Sequence, residues 1–475
     1  MTKKVIIIGG GVSGLSCGIY CQKLGLQSII LEKTKNLGGN LTGWKRENCY
    51  IDNCVHWLNG SKNESPYNKL WREVGAIDDS TLFNQSEYFY LSETDGKQVG
   101  ISQNLEETQH SMLCAAPEDA KNIKKFISAL KLFICLSKKK RLGKIFPAIK
   151  LFRLYGRKTV GEVAKQFKSK IMKNFLTDYI LPEYSIYVLL AASASFVTGD
   201  GKVPIQGSLK MAEKIAKKYL SLGGETKLGQ EVVKVNKINN KIISVATDKN
   251  EIISGDYFVF ACDPQIVFPK FIEKMPKNLE NTYKNRKNYP IISAFHIAYD
   301  VKIKHLNIPE SLIIDCPPIK IGNSVYTRIM LRNYEYGKNF APDGHVVLQV
   351  FILTREADYD HFASLSSKEY ASEKKQISGE IKKVILNRFP ELKDIMTQID
   401  CWTPLTYNKF FNAYKGAFMS FGITKSIRLS KVQSKLNASE NAFIATQWQS
   451  LFGGLPNALM AGKECAEHIV KEIKK

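Results

Sequence analysis

The sequence predicts an α/β protein with a discontinuous Rossmann-type nucleotide-binding domain, a second domain with a mixed, mostly antiparallel sheet, and a helical basic insertion. Three observations support this prediction. A glycine-rich strand–turn–helix–strand unit opens the chain, and alternating apolar runs typical of strands recur between residues 291 and 421. A lysine-rich stretch with helical periodicity lies between these two regions. With 475 residues, the chain is long enough for two lobes of about 100–200 residues each.

The first unit has the sequence context of a dinucleotide-binding βαβ motif. A β-branched strand, Val5–Ile8, runs into a G-x-G-x-x-G loop, and the helix after it stops at Gly25. A second strand ends on Glu32, where a carboxylate accepts hydrogen bonds from a ribose. The loop glycines permit a tight turn, close approach of a pyrophosphate and close packing of helix on strand. The contacts predicted for this loop are Gly9, Gly11, Val12, Ser13 and Gly14.

The remaining elements divide the chain into three units. The elements predicted from periodicity and turn residues are a helix at Ser208–Leu222, a hairpin around Asn239-Asn240, a buried strand at Tyr257–Ala261, a charged helix at Ser366–Arg388 and a last helix at Asn457–Lys471. The predicted nucleotide-binding domain therefore covers 1–75, 200–285 and 425–475. A helical basic insertion covers 76–199, and a substrate domain covers 286–424.

Composition restricts the cellular setting. No apolar run approaches the ~18–20 residues needed to span a bilayer. Val5–Ile8 leads directly into the glycine loop and is not a signal-peptide core. Ten cysteines are scattered without C-x-x-C or metal-type spacing, which predicts a reducing compartment and no metal site. We expect a cytoplasmic protein, with peripheral attachment to the inner face of the cytoplasmic membrane as a further expectation.

A second glycine motif indicates which dinucleotide is bound. Glu32-Lys33 is followed by Leu37-Gly38-Gly39 and Tyr50-Ile51-Asp52. This order resembles the start of the flavin amine oxidase and phytoene desaturase superfamily. The resemblance implies non-covalently bound FAD, with the paired glycines along its pyrophosphate and ribityl chain. The family commonly has arginine after the glycine pair, whereas this chain has Asn40, which lacks that charge-assisted contact.

Later segments extend the resemblance. Gly207-Ser208 and Val232-Val233 look like the family's return into the nucleotide domain, where the backbone at Val233 faces the adenine. Phe452–Pro456 and the helix after it resemble the C-terminal flavin contact, where backbone amides face the pyrimidine end. Beyond the first loop, the implied FAD contacts are Glu32, Lys33, Gly38, Gly39, Asn40, Val233, Gly453, Gly454, Leu455 and Asn457.

Two further motifs point to one branch of the superfamily. Asp52–Leu58 and Thr403–Tyr407 are similar to segments of phytoene desaturases, carotene isomerases and retinol saturases. The resemblance implies hydride transfer at flavin N5 on a hydrophobic polyene or isoprenoid substrate. Desaturation, saturation and isomerisation all stay open. The alternatives are a flavin amine oxidase and a non-catalytic flavin-binding peripheral membrane protein.

The resemblance also singles out a catalytic candidate. It places His56 beside the flavin ring, where the imidazole donates a hydrogen bond or shuttles a proton near neutral pH. A histidine satisfied within a packed loop is the alternative. Aromatic-rich runs at 184–190 and 410–421 suit an apolar tunnel for a polyene, and ordinary core packing explains them as well.

Positive charge is concentrated in the insertion. Between Lys121 and Lys173 there are 17 lysines or arginines against one acid, Glu162. Apolar residues from Ile123 to Ile134 recur with helical spacing, and Lys138–Arg141 follows. A basic amphipathic helix is typical of a membrane interface, so we predict that residues 121–145 contact anionic lipid. A lid helix packed on its own protein is the alternative. Nucleic-acid binding is not predicted, because no recognised module occurs.

Overall fold

The computed structural model describes residues 2–138, 143, 145–425, 432–437, 439–450 and 453–475. The strands are β1 Lys4–Ile8, β2 Gln27–Glu32, β3 Gly43–Arg46, β4 Cys49–Asp52, β5 Leu58–Asn59, β6 Tyr88–Thr94, β7 Lys97–Ser102, β8 Gly201–Lys202, β9 Glu225–Leu228, β10 Val232–Ile238, β11 Lys241–Thr247, β12 Ile252–Ser254, β13 Tyr257–Phe260, β14 Ser293–Val301, β15 Ser311–Ile321, β16 Ser324–Asn333, β17 Val346–Thr354, β18 Met396–Trp402 and β19 Ala442–Ile444.

The helices join these strands and cover the sheets. They are α1 Val12–Lys23, α2 Pro66–Glu73, α3 Leu105–Ala115, α4 Ala120–Lys138, α5 Ile145–Tyr155, α6 Val160–Ala164, α7 Lys170–Asp178, α8 Ile186–Val197, α9 Gly207–Ser221, α10 Pro264–Lys270, α11 Lys277–Lys284, α12 Glu356–Ser364, α13 Ser367–Arg388, α14 Pro404–Phe411 and α15 Gly454–Ile473.

A parallel five-stranded sheet is assembled from three distant stretches of the chain. Its strand order is β19-β13-β1-β2-β9, and the four strand pairs are all parallel. β1 is buried along most of its length because helices cover both faces of such a sheet. α1 packs against α15, and the Ser16 hydroxyl donates a hydrogen bond to the Leu459 carbonyl at 2.7 Å. The Rossmann-type prediction is confirmed.

A larger sheet of seven strands forms a second layer. Its order is β18-β14-β17-β16-β15-β6-β7, and every pair is antiparallel except β15 with β6. α13 packs its apolar residues, such as Ile381, against one face of this sheet. Helices α4 to α8 pack against the other face, where they join Phe351 and Met330 in one core. The mixed, mostly antiparallel sheet agrees with the prediction.

Several individual elements appear where the sequence predicts them. The hairpin turns at Asn239, which has a φ of 52°, between β10 and β11. The charged helix begins after Ser366, whose hydroxyl accepts from the amide of Glu369 in a capping box. The last helix begins three residues earlier than predicted, at Gly454.

The sequence predicts a helical insertion over 76–199, but residues 88–102 form strands β6 and β7 instead. They join the large sheet through β15. The missed signal is Asp95-Gly96, because both residues have positive φ (50° and 77°), as a two-residue hairpin turn of type I′ requires. The alternation of apolar and polar residues in each of these short strands is a weaker signal than the helical periodicity of the segments that follow.

The predicted membrane face of residues 121–145 is wrong for α4. Ile123, Phe126, Ile127 and Leu130 are at most 1% exposed, because this helix packs its apolar side on the insertion's own core. The lid-helix alternative therefore describes α4, and Lys139–Arg141 lie outside the described residues. Among helices of the described residues, none is both long and apolar enough to span a bilayer.

Candidate active site

The glycine turn holds β1, β2 and α1 close together. The Gly9 amide donates to the Leu31 carbonyl at 2.9 Å, and Gly9 itself has a φ of 108°. A Cβ atom on Gly14 would lie 2.0 Å from the Gly9 carbonyl oxygen. A side chain cannot be accommodated at that distance, so Gly14 sets the close packing of helix on strand.

The first turn of α1 is available to an anion. The helix follows Gly11, which has no side chain to cap the first amides. Val12 and Ser13 line the cavity at this point. A Cβ atom on Gly11 would meet only the Gly39 Cα, at 3.9 Å, so the position is open toward the cavity. Unpaired amides and the helix dipole favour a phosphate there.

The second glycine motif lies directly on the first. Gly11 and Gly38 form an isolated β-bridge, and the Gly38 amide donates to the Gly10 carbonyl at 2.8 Å. Gly38 has a φ of 117°, and a Cβ there would lie 2.7 Å from the Leu41 carbonyl. The two motifs therefore form one continuous backbone cradle, although their nearest glycines, Gly14 and Gly38, are 24 residues apart along the chain.

The predicted ribose-binding carboxylate is already oriented by the protein. Glu32 accepts hydrogen bonds from the Gly10 amide at 2.7 Å and from the Thr34 amide at 2.9 Å. The neighbouring Lys33 donates to Asn412 at 2.7 Å, which ties the end of β2 to the segment after α14. Burial lowers the pKa of Lys33 below its usual value.

The C-terminal motif closes the other side of the cradle. Gly453 precedes α15 with a φ of 41°, and a Cβ there would lie 2.3 Å from the Ser420 amide. The Gly454 amide donates to the Gln447 side chain at 2.6 Å, and the Asn457 side chain donates to the Gly453 carbonyl at 2.8 Å. Phe452, also part of the predicted motif, lies outside the described residues.

A cavity of about 1220 Å³ runs from these motifs to the large sheet. The predicted site residues that line it are Gly9, Gly11, Val12, Ser13, Glu32, Lys33, Gly38, Gly39, Asn40, His56, Gly453, Gly454, Leu455 and Asn457. Gly14 lies behind the turn. Val233 does not line the cavity either, because it is 42% exposed at a bulge of β10, whereas Val232 lines the cavity. The predicted contact of Val233 is through its backbone and stays a prediction. The carboxyl ends of the parallel strands open into this space, as in nucleotide-binding folds.

One hydrogen-bond network links the cofactor cradle to the large sheet. The Asn53 side chain donates to the Asn40 side chain at 3.0 Å and accepts from Trp402 Nε1 and from the Tyr407 hydroxyl, both at 3.0 Å. The Tyr407 hydroxyl also contacts His296 Nε2 at 2.9 Å, and the His296 ring stacks on Trp402. His296 and Trp402 were not found from sequence, because neither residue belongs to a motif, although Trp402 directly precedes the Thr403–Tyr407 motif.

His56 reaches the cavity wall as an uncharged imidazole. Its ring meets Phe351 edge to face, with the ring centres 4.7 Å apart. Burial lowers the pKa of His56 well below 6.5, and the positive charge of Arg332 and the neighbouring His296 add to this effect. The predicted role as a proton shuttle near neutral pH is therefore disfavoured, whereas donation of a hydrogen bond stays available.

The cradle fits a flavin dinucleotide. The first two glycine-rich segments contact each other, and the third lines the same cavity. Side chains at several of these glycines would collide with backbone atoms. A long apolar section adjoins them on the side of the large sheet. A parallel nucleotide-binding sheet faces a mostly antiparallel sheet across this cavity, which is the arrangement expected of a flavin-dependent oxidoreductase.

Comparison with known proteins identifies the family. The profile of the flavin-containing amine oxidoreductases matches residues 12–470, so the chain belongs to this family. The protein is an FAD-dependent oxidoreductase. A relative, 4,4'-diaponeurosporene oxygenase of Staphylococcus haemolyticus, is 20% identical, and the alignment covers 98% of this chain and 97% of the relative.

Solved structures share the fold. Cyclohexylamine oxidase from Brevibacterium oxydans superposes with a TM-score of 0.60 at 15% identity, and the match covers 100% of both chains. A variant of putrescine oxidase superposes with a TM-score of 0.63 at 12% identity over 99% of both chains. At these identities the likeness establishes the architecture and leaves the substrate open.

Proposed function

We propose that this enzyme transfers a hydride between FAD and carbon–carbon bonds of an elongated hydrophobic substrate of the polyene or isoprenoid class. The supporting observation is the cavity wall beyond the nucleotide end. It is formed by the apolar and aromatic side chains of Trp57, Tyr179, Ile180, Tyr184, Val188, Ile292, Phe351, Leu353 and Phe418. Such a wall suits a long apolar ligand. When bound, FAD supplies the hydride acceptor and donor.

The distribution of carboxylates favours a polyene over an amine. Four acids line the cavity, namely Glu32, Glu231, Asp263 and Asp400. Glu32 ends β2 and Asp263 follows β13, both at the nucleotide-binding sheet. Glu231 pairs with Lys270 at 2.8 Å, and Asp400 pairs with Arg46 at 2.8 Å. None of the acids among the described residues lines the apolar section. A cationic ammonium group would lack a counterion there, whereas a hydrocarbon needs none.

Two polar groups of the network beside the wall, Tyr407 and His296, are neutral. Burial raises the pKa of the Tyr407 phenol and lowers that of His296 to about 3. Both groups therefore hold hydrogen bonds and orient their neighbours without carrying charge at pH 7.

The carotenoid-related name of the staphylococcal relatives supports the same substrate class. Desaturation, saturation and isomerisation stay open within this proposal.

The proposal is tested by flavin half-reactions under anaerobic conditions. Oxidised enzyme is mixed with phytoene in detergent micelles, and dithionite-reduced enzyme is mixed with a conjugated carotenoid, while flavin absorbance is followed. Desaturation should reduce the flavin in the first arm, and saturation should oxidise it in the second. Isomerisation should shift the polyene absorbance while the flavin redox state is unchanged. Putrescine and cyclohexylamine are the amine arms. Flavin reduction by an amine, with no response in either polyene arm, would replace the proposal by an amine oxidase.

A matched pair of variants locates the reaction in the apolar section. Val188 lines the cavity, whereas Val325 is 63% exposed on the outer surface. Val188→Asp should bind FAD normally but lose most of the polyene response, because it places a charge in the apolar wall. Val325→Asp should behave as the wild type. Equal responses in both variants would exclude this section as the substrate site.

We also propose that the enzyme docks on an anionic lipid surface, through α5 rather than α4. The exposed face of α5 carries four bulky apolar residues, Ile145, Phe146, Ile149 and Phe152, with exposures between 46% and 85%. Lys150 and Arg153 flank them, within the stretch of 17 basic residues and one acid. Apolar residues that insert shallowly and cations that meet lipid phosphates are together typical of an interfacial helix.

Vesicle flotation tests the lipid proposal. The protein should float with vesicles that contain phosphatidylglycerol and remain free with pure phosphatidylcholine, and salt should weaken the association. Phe146→Ser with Phe152→Ser should abolish flotation. Leu82→Ser with Ile252→Ser, which removes residues of comparable exposure elsewhere, should not. Deleting 121–145 is unsuitable because it removes core residues of α4. Flotation that survives the α5 double substitution would contradict the proposal.

A further inference from the structure

Three buried polar side chains lie together on the large sheet. Gln349 lies on the central strand β17, and Arg332 is directly opposite it on the neighbouring strand β16. On the other side of β17, Ala298 of β14 is opposite Gln349, and His296 lies two residues from Ala298 on the same strand. The three residues are 2–3% exposed. Side chains two residues apart share one sheet face, so they lie on the same face as Phe351, which lines the cavity. We name Arg332, Gln349 and His296 the buried polar patch.

The patch has hydrogen-bonding capacity that the protein does not use. Arg332 Nε, Gln349 Nε2 and His296 Nδ1 have no hydrogen-bond partner among the described residues. The Arg332 guanidinium donates to the Ser311 hydroxyl at 3.1 Å and forms no ion pair with any described carboxylate. Buried polar groups and buried charges are normally paired, because leaving them unpaired costs free energy. Arg332 Nε and Gln349 Nε2 are donors, so the missing partner is an acceptor.

The positive charge of Arg332 acts on residues that line the cavity. It lowers the pKa of His56 and opposes the rise in that of Tyr179, and both residues line the wall. Two carboxylates interact electrostatically with Arg332, namely Asp52 and Glu310. Asp52 accepts from the Ser208 amide and hydroxyl, and Glu310 accepts from the Asn84 side chain, so both are engaged elsewhere. Arg332 therefore contributes a positive charge at this end of the cavity without an ion pair of its own among the described residues.

We propose that the buried polar patch receives the carboxylate terminus of an elongated polyene or isoprenoid substrate. The inference rests on the proposed function, since it concerns the same cavity. The patch adjoins Phe351 on the same sheet face, and the His296 and Phe351 ring centres are 4.9 Å apart. Phe351 lines the cavity, whereas the three patch residues do not. The proposal requires that the Phe351 ring turn aside so that the ligand head reaches Arg332 and Gln349. A carboxylate supplies two acceptor oxygens and the missing negative charge, whereas a pure hydrocarbon supplies neither.

Ligand binding to the FAD-loaded enzyme tests this inference at pH 8. The probes are all-trans-retinoic acid and its methyl ester, which share one chain and differ in the charge of the head. Affinity is read from quenching of protein fluorescence. We expect the acid to bind at least about tenfold more tightly than the ester, a difference of about 1.4 kcal/mol. Arg332→Met and Gln349→Leu should bring the ratio toward one without weakening the ester.

Controls separate a specific effect from a loss of structure. Arg332→Lys keeps the charge and should retain part of the preference, which a merely structural role would not produce. Arg388→Met removes a half-exposed arginine and should leave the ratio unchanged. FAD content and melting temperature verify folding of each variant. Equal binding of acid and ester by the wild type would overturn the inference and leave the proposed function standing. Failure of both probes to bind, with no flavin response to any polyene, would remove both.

Discussion

Gly11→Ala is expected to give a folded protein that no longer retains FAD. Gly11 has a φ of −72°, which any residue adopts, and a Cβ there meets only the Gly39 Cα at ordinary contact distance. The methyl group would instead occupy the space where the pyrophosphate approaches the backbone. We expect FAD affinity to fall by about tenfold or more. The flavin-to-protein absorbance ratio and the melting temperature of the apoprotein are the measurements.

Gly14→Ala is the matched variant for this experiment. Its Cβ would lie 2.0 Å from the Gly9 carbonyl oxygen, so β1 and α1 would have to separate. We expect this variant to lose stability in the apoprotein as well as FAD, by about 1–3 kcal/mol or more. The prediction assigns Gly11 to the approach of the pyrophosphate and Gly14 to the packing of α1 on β1. It would be refuted if the Gly11→Ala protein kept its yellow colour, or if it melted at as low a temperature as Gly14→Ala.

Arg328→Met is expected to destabilise the protein by about 3–5 kcal/mol. Arg328 on β16 donates to both carboxylate oxygens of Asp178, at 2.8 and 2.6 Å, and to Asp315 at 2.8 Å. It also donates to the Glu93 carbonyl on β6 at 2.7 Å. The Asp178 side chain is 1% exposed, so removing Arg328 would leave a buried carboxylate without its cation. Urea unfolding followed by circular dichroism measures the loss.

Two comparisons make the Arg328 prediction specific. Lys170 pairs with Asp315 as well, at 3.3 Å, but its side chain is 58% exposed, so Lys170→Met should change stability little. Adding Asp178→Asn to Arg328→Met should restore part of the lost stability, because the unpaired charge is then absent. Burial raises the pKa of Asp178 and Arg328 opposes that rise, which is consistent with this expectation. Equal losses in Arg328→Met and Lys170→Met would contradict it.

The glycine motifs show how much of the site could be predicted from sequence. A G-x-G-x-x-G loop between a strand and a helix requires unusual φ angles and close approach of backbone to backbone and to ligand. Only glycine meets these requirements, so the loop can be recognised from residue type alone. Of the site residues predicted from sequence, Gly14 and Val233 are those that do not line the cavity. The bulge at Val233 shifts its register against β11, and a register shift of this kind leaves no mark in a single sequence.

His296 and Arg332 show why the rest of the site could not be predicted. Both lie in or next to apolar runs that predict strands, and neither belongs to a motif. Their partners, Tyr407, Trp402 and Gln349, come from different strands and helices. A network built from residues far apart in sequence is specified by strand order, and strand order follows from packing of the whole domain.

The sequence by itself determined the nucleotide-binding unit and the character of the apolar segments, because backbone geometry and side-chain periodicity are local properties. The cofactor class followed from the resemblance of its motifs to a flavoprotein family. Only the tertiary structure decided which apolar face is exposed. An amphipathic pattern states that one side of a helix avoids water, but it does not state whether protein or lipid covers that side. α4 buries its face in the core of the insertion, whereas α5 presents Phe146 and Phe152 outward.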